Sequence, residues 1–382
     1  MKVPLAWLQL TREKMRLVVA LAGIGFADLL MFMQLGFKTS LFESAIAIHK
    51  RFQGDLVLIS PRSEFIAQMV SFPRTRLYQA KGFEGVESIS YLYIAPGKWK
   101  NPANPSYNRS IFIFGFDPER PVFDMPEVNQ QLDRIKLPDV YLFDRKSRAE
   151  FGPVAEQFEK GNPVVTELSD RKIKIGGLFD LGVSFAADGN VITSDLNFIR
   201  VTKRSMDTID VGFIKLKPGA DPQAVLENMQ KKLPDDVKVL TMEGFIQMEK
   251  KYWETGTAIG FIFGLGVAMG FIVGIVIVYQ ILYTDVADHL PEYATLKAMG
   301  YTDLYLLGVV FQEAILLSIL GYIPGFVISL GLYNLAKSGT GLPMGMTFDL
   351  ASTVFVLTVV MCFVSGAIAV RKLQGADPAD IF

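Results

Sequence analysis

The chain has 382 residues, half of them apolar and a fifth charged, with a formal net charge of −1 and a mean hydropathy of +0.31. A wholly soluble enzyme of this length has a negative mean hydropathy and a wholly embedded membrane protein carries fewer charges, so two materials share one chain. The near-zero charge offers no footing for nucleic acid, and one cysteine (Cys362) with two histidines (His49, His289) excludes an intrachain disulfide framework and argues against a Cys/His zinc site.

In chain order, residues 4–15 read as an amphipathic helix that opens on Pro4. Trp7, Leu8, Thr11 and Met15 fall on one face, and Gln9, Glu13 and Arg16 towards the other. Such a helix can lie in the membrane interface, which makes residues 1–16 a cytoplasmic segment in contact with membrane lipid, the alternative being a plain cytoplasmic extension of the first span. Residues 17–37 follow as a first apolar span with one charge, Asp28. Lys2, Arg12, Lys14 and Arg16 precede it, and no small-residue cleavage pattern follows, so it reads as an uncleaved anchor with a cytoplasmic N-terminus.

Residues 38–257 then lie on the periplasmic side, long enough for one or two domains with their own cores. Residues 55–60 are strand-like, 62–70 a short helix candidate, and 86–95 and 110–116 strand-like. A clearer unit is a strand over 211–216, a Pro218-Gly219 turn, a helix opened by Asp221 and Pro222, and a strand over 237–240. This is a split β-α-β unit, and residues 55–95 look like a weaker copy. Two such units build an α+β module of ferredoxin-like, porter type. The Pro- and Gly-rich stretch over about 103–205 reads as a β-rich insertion. Gly176, Gly177, Gly182 and Gly189 lack dinucleotide-fingerprint spacing and are read as turn glycines. Phe245, Met248 and Tyr252 recur at helical spacing over 243–253, predicting a helix that continues through the bilayer surface.

A second span, 258–283, has no charge. Gly256, Gly260, Gly264, Gly266, Gly270 and Gly274 gather on one side of it. Small residues at this spacing let another helix approach closely, either within the chain or as a subunit or sliding contact. Residues 284–303 form a short cytoplasmic segment, 304–333 a third span with Glu313 its only charge, 334–350 a short periplasmic loop, and 351–370 an uncharged fourth span. The tail 371–382, with Arg371 and Lys372, returns to the cytoplasm. The fold class is therefore an α-helical membrane protein with four transmembrane helices and a large extracytoplasmic α+β domain. Asp28 and Glu313 are intramembrane ionisable groups, costly enough to be candidates for function. Neither has an evident basic partner in another span, and a packing or capping role fits them better than an ion relay.

The chain contains no G-x-x-x-x-G-K-[ST], H-E-x-x-H or G-x-S-x-G sequence, so no catalytic, metal or cofactor residues are assigned. Its most specific feature is the cytoplasmic run Leu290, Pro291, Glu292, Tyr293, Ala294, Thr295, Leu296, Lys297, Ala298, Met299, Gly300. Pro291 suits a helix start and Gly300 a helix end.

Glu292, Lys297, Ala298 and Gly300 match the R-E-I-G-x-x-[RK]-A-x-G pattern of FtsX/MacB-type ABC transporter permeases, while Pro291 and Ala294 depart from its Arg and Gly. Glu313-Ala314 with the apolar run to Gly321, and Arg371-Lys372 with Asp377-Pro378-Ala379, are also similar. The layout of one span, a large external domain and three further spans resembles that family along the whole chain. The order of external elements and the Asp-Pro-Ala-Asp-Ile-Phe ending look most like the cyanobacterial DevC permeases.

The resemblance implies a homodimer without its own ATP site, served by a separate ABC ATPase that binds ATP and Mg. Residues 290–300 would contact that ATPase. It further implies a bacterial inner-membrane location, a periplasmic membrane-fusion adaptor, a TolC-like outer-membrane channel reached indirectly, and export of a glycolipid-class substrate by mechanotransmission. Relatives with the same architecture instead activate a periplasmic cell-wall hydrolase or release lipoproteins.

Overall fold

The computed structural model describes residues 7, 12, 14–292, 295, 299, 300 and 302–374. Most of the expected interfacial helix over 4–15 lies outside the described residues, as do Tyr293, Ala294, Leu296, Lys297, Ala298 and the tail from 375. The longer helices are α1 (Lys14–Ile46), α2 (Thr75–Lys81), α3 (Asp195–Thr202), α4 (Pro222–Lys232), α5 (Met242–Lys251), α6 (Ala258–Asp288), α7 (Asp303–Thr340) and α8 (Phe348–Gln374). The chain divides into two compact bodies. One holds the four long apolar helices, and the other is Leu41–Thr257 together with Gly341–Pro343.

In the membrane body, α1, α6, α7 and α8 are each long and apolar enough to cross a bilayer. α1 and α6 outrun the spans expected at 17–37 and 258–283, so Asp285 and Asp288 belong to the end of α6. α8 packs against both α6 and α7. Ala20, Ile24 and Ala27 of α1 join Val278 and Leu282 of α6, Leu317 of α7 and Met361 of α8 in one core. At Gly325 a Cβ would stand 2.9 Å from the Gly25 carbonyl oxygen, so α1 and α7 cross backbone to backbone. The Ser365 hydroxyl donates to the Ile275 carbonyl oxygen at 2.9 Å, tying α8 to α6.

The other body is built on one mixed sheet. Its strands are β1 (Leu56–Ile59), β3 (Val86–Asn101), β4 (Asn104–Phe116), β5 (Val140–Asp144), β6 (Val165–Leu168), β7 (Arg171–Phe179), β8 (Asn190–Ser194), β10 (Val211–Leu216) and β11 (Lys238–Thr241). A two-residue pair, β2 (Phe72–Pro73) and β9 (Thr208–Ile209), stands apart. The spatial order is β11-β1-β10-β3-β4-β8-β5-β7-β6. β10 lies antiparallel between β1 and β3, and β1 lies antiparallel between β10 and β11. The units β1-α2-β3 and β10-α4-β11 thus interleave as two split β-α-β units, a ferredoxin-like layer. The segment between β3 and β10 adds five strands to the free edge of β3, then curls back until Leu168 of β6 pairs with Trp99 of β3.

Alternate residues of these strands feed two cores. Leu56, Leu58, Ile89 and Tyr91 face the side covered by α2, α3 and α4. Val57, Ile59, Leu92 and Phe213 face the side covered by Phe123, Val128 and Phe245. β1 is therefore buried at every position, which explains a continuous apolar run where a half-exposed strand would alternate. Trp99, fully buried, donates its indole N–H to the Phe151 carbonyl oxygen at 3.1 Å. Burial of a side chain this large contributes on the order of 3 kcal/mol.

Two expected elements differ. Residues 62–70 form a loop with one 3-10 turn, Ile66–Gln68, and the helix of this unit lies later, at α2. Phe65 is extended, and the Ser63 hydroxyl accepts the Val70 N–H at 3.0 Å, which offers the backbone an alternative to helix. The helix expected to continue from 243 into the second span is broken. After α5 come a π turn, Tyr252–Gly256, and extended Thr257 (φ −125°, ψ 157°) before α6 starts. The Thr255 and Thr257 hydroxyls donate to the Lys251 and Trp253 carbonyl oxygens at 2.9 and 3.0 Å, taking over acceptors that a continuous helix would use.

Candidate functional site

The segment after α6 begins with helical residues Leu290, Pro291 and Glu292. The Thr295 hydroxyl donates to the Pro291 carbonyl oxygen at 2.8 Å, and the Met299 N–H donates to the Thr295 carbonyl oxygen at 3.0 Å, both with helical four-residue spacing. Gly300 takes φ +92°, a left-handed conformation that glycine adopts without steric cost and that ends helices. Pro291, Glu292, Thr295 and Met299 are exposed, and Leu290 is half-buried. Glu292 lies 3.6 Å from Arg12 in an exposed pair of small energetic weight.

Immediately before this segment sits an ionic cluster. Arg16, at the start of α1, bonds Asp288 at 2.5 Å and lies 4.0 Å from Asp285, both on the last turn of α6. His289 packs its Nδ1 2.9 Å from the Asp285 carbonyl oxygen. Glu313 of α7 is fully buried, near Asp285. Through Arg16, α1 and α6 are tied together one turn ahead of residues 290–300. Sequence reasoning placed Asp285 and Asp288 in a loop and so missed Arg16 as their partner. Their three-residue spacing, on the same side of the membrane as Arg16, was the available signal.

Asp28 is also fully buried and accepts a hydrogen bond from the Thr358 hydroxyl of α8 at 2.6 Å. It lies far from Glu313 in sequence and pairs with a different helix, so the two intramembrane acids occupy separate environments. The glycines divide as well. Gly266, Gly270 and Gly274 of α6 lie against Gln34, Met31 and Ala27 of α1, and Gly274 also against Met361 of α8. Gly260 is half-buried, and Gly264 has open space where a Cβ would go. Gly256 closes the π turn under the Tyr252 ring and so does not share the α6 face. Among the described residues, no group of three or more His, Cys, Asp or Glu could hold a metal ion.

Residues 264–378 match the family described as FtsX-like permease C-terminal. The stretch takes in most of α6, the 290–300 segment, α7 and most of α8. Among curated proteins no sequence matches the chain. Two solved structures similar to it are the periplasmic region of MacB from Actinobacillus actinomycetemcomitans and the extracellular domain of the noncanonic ABC-type transporter YknZ from Gram-positive bacteria. The first is 10% identical, covers 52% of this chain and 94% of its own, and has a TM-score of 0.34. The second is 12% identical, covers 49% and 98%, and has a TM-score of 0.32. These scores are too low for the likeness to carry an assignment.

Proposed function

We propose that this chain is the permease subunit of an ABC-type tripartite efflux system of the bacterial inner membrane. It works as a homodimer with both termini cytoplasmic and takes its energy from a partner ATPase that binds ATP and Mg. The observation that carries the reading is the FtsX-like permease C-terminal match, because it spans the 290–300 segment and the helices on either side of it.

In this reading the ATPase grips Leu290, Pro291, Glu292, Tyr293, Thr295, Leu296, Lys297, Ala298, Met299 and Gly300. Movement of that segment pulls on the end of α6. The Arg16 contacts with Asp285 and Asp288 pass the displacement to α1. Four apolar helices packed through small residues suit moving rods better than a polar pore. The large domain outside the membrane then drives substrate into a duct made by a membrane-fusion adaptor and a TolC-like channel. The resemblance of the external element order and of the C-terminal Asp377-Pro378-Ala379 to DevC permeases supports a glycolipid-class substrate.

Co-purification of the tagged chain from its native membranes tests the proposal. An ATPase, an adaptor and bound glycolipid are the expected companions. Absence of any ATPase overturns the reading, and an ATPase found with a cell-wall hydrolase regulator replaces export by signalling.

A further inference from the structure

Outside the membrane body, a buried ionisable pair lies where the chain has left α1 and where α5 ends. His49 and Glu249 are both fully buried, with His49 Nε2 3.5 Å from Glu249 Oε2. The Glu249 carboxyl joins three segments. Oε2 accepts the Ile66 N–H at 2.8 Å, and Oε1 accepts the Trp253 indole N–H at 2.9 Å. The His49 ring stands against Phe245 and Phe52, with centroids 4.6 and 6.1 Å away. Directly beyond Glu249 comes the Tyr252–Gly256 π turn, and single π turns mark functional joints in helices. Apolar side chains would hold these segments together at lower cost, so a buried ionisable pair at this joint calls for a role.

We propose that His49 and Glu249 form a latch on this joint, dry and neutral when closed, and converted to an ion pair when water enters by transfer of one proton from Glu249 Oε2 to His49 Nε2. The O–H bond breaks, the N–H bond forms, and no proton is taken from solvent.

Burial pushes the His49 imidazole down to about 3, opposed by the Ala45 backbone. Burial pushes Glu249 up to about 7, opposed by the Ile66 and Trp253 donors. In water the order reverses, with histidine near 6.5 and glutamate near 4.3. Of the charged groups on the packed segments, Lys50, Arg51, Glu64, Glu243, Lys251 and Glu254 are exposed and Lys250 is half-buried, with Lys50 held by Glu43 at 2.7 Å. The two buried groups therefore titrate chiefly against each other.

The latch needs no partner protein and stands or falls separately from the export reading. Its opening is read by hydrogen exchange of the Ile66 amide in the full chain in lipid nanodiscs, from pH 8 to pH 5, corrected for the intrinsic rate. In the native chain the proton stays within the pair, so the opening constant changes by less than about threefold. In Glu249→Gln, opening lets His49 alone gain a proton, and the constant rises about 30-fold on acidification. In His49→Gln, opening makes Glu249 give up its proton, and the constant falls about 70-fold. A tenfold change in the native chain, or the same sign of slope in both variants, overturns the latch. Amides of β4 report folding. If Glu249→Gln loses their protection, His49→Gln and the flat native profile decide the matter.

Discussion

Asp210 shows what a single residue contributes outside the membrane. It is buried, yet it accepts hydrogen bonds from both Arg204 Nη atoms at 2.8 Å, from the Ser71 hydroxyl at 2.8 Å and from the Ile94 N–H at 2.7 Å. The Arg204 guanidinium also lies over the rings of Tyr93 and Phe198. A buried pair of this kind adds little over a well-packed apolar pair, but breaking it leaves an uncompensated charge. Arg204→Met is thus expected to lose about 3–5 kcal/mol, read as a drop in the urea midpoint of the full chain with an unchanged slope. A loss below about 1 kcal/mol would show that Ser71 and Ile94 alone satisfy the carboxylate.

The elements of the membrane body differ in how much room they leave. A Cβ on Gly325 would meet the Asp28 Cβ at 2.7 Å and the Gly25 carbonyl oxygen at 2.9 Å, and backbone cannot give way as a flexible side chain can. Gly325→Ala is expected to cost about 1–3 kcal/mol, whereas Gly264→Ala, with nothing within 4 Å, is expected to stay within about 0.5 kcal/mol. Thermal unfolding in detergent separates the two. The 290–300 element is tested by coupling. Gly300→Pro forces φ from +92° to about −65°, and Glu292→Lys reverses an exposed charge. Each is expected to abolish substrate-stimulated ATPase activity of the assembled complex while the chain still inserts, and unchanged stimulation would remove the segment's assigned role. The four spans and the split β-α-β strands were legible because long apolar runs, and strands bounded by Pro and Gly, carry their signal locally. The loop at 62–70 and the break at 252–257 were not, because hydroxyl-to-backbone bonds from Ser63, Thr255 and Thr257 decide them. Of the candidate site, the 290–300 segment stood out by motif. The bond between Asp28 and Thr358 joins residues 330 apart, and no window on the sequence brings them together.

At the scale of the whole molecule, among the described residues every strand lies within Leu41–Thr257, and Gly341–Pro343 joins that body from elsewhere in the chain. Both faces of its sheet are already covered by residues of the same body. A domain of this size buries most of the surface its unfolded chain exposes, so residues 41–257 are expected to fold alone. How many transitions it shows is a sharper question. Of the inserted strands, β4 is hydrogen-bonded to β3 and β6 meets it at one pair, while β8, β5 and β7 continue the ladder from β4; β3 belongs to the ferredoxin-like layer, so the two parts share a backbone ladder with no seam. One cooperative unit is therefore expected. Without Trp7 the fragment retains two tryptophans, Trp99 where β6 meets β3 and Trp253 in the π turn. They report different surroundings, Trp99 beside Phe143 and Phe151 and Trp253 beside Phe65 and Phe185, and each can be followed in a fragment with the other replaced by Phe. Coincident urea transitions from both, with Arg204→Met shifting them equally, establish a single cooperative unit. Separate midpoints would make the insertion a body of its own, joined by a compliant connection.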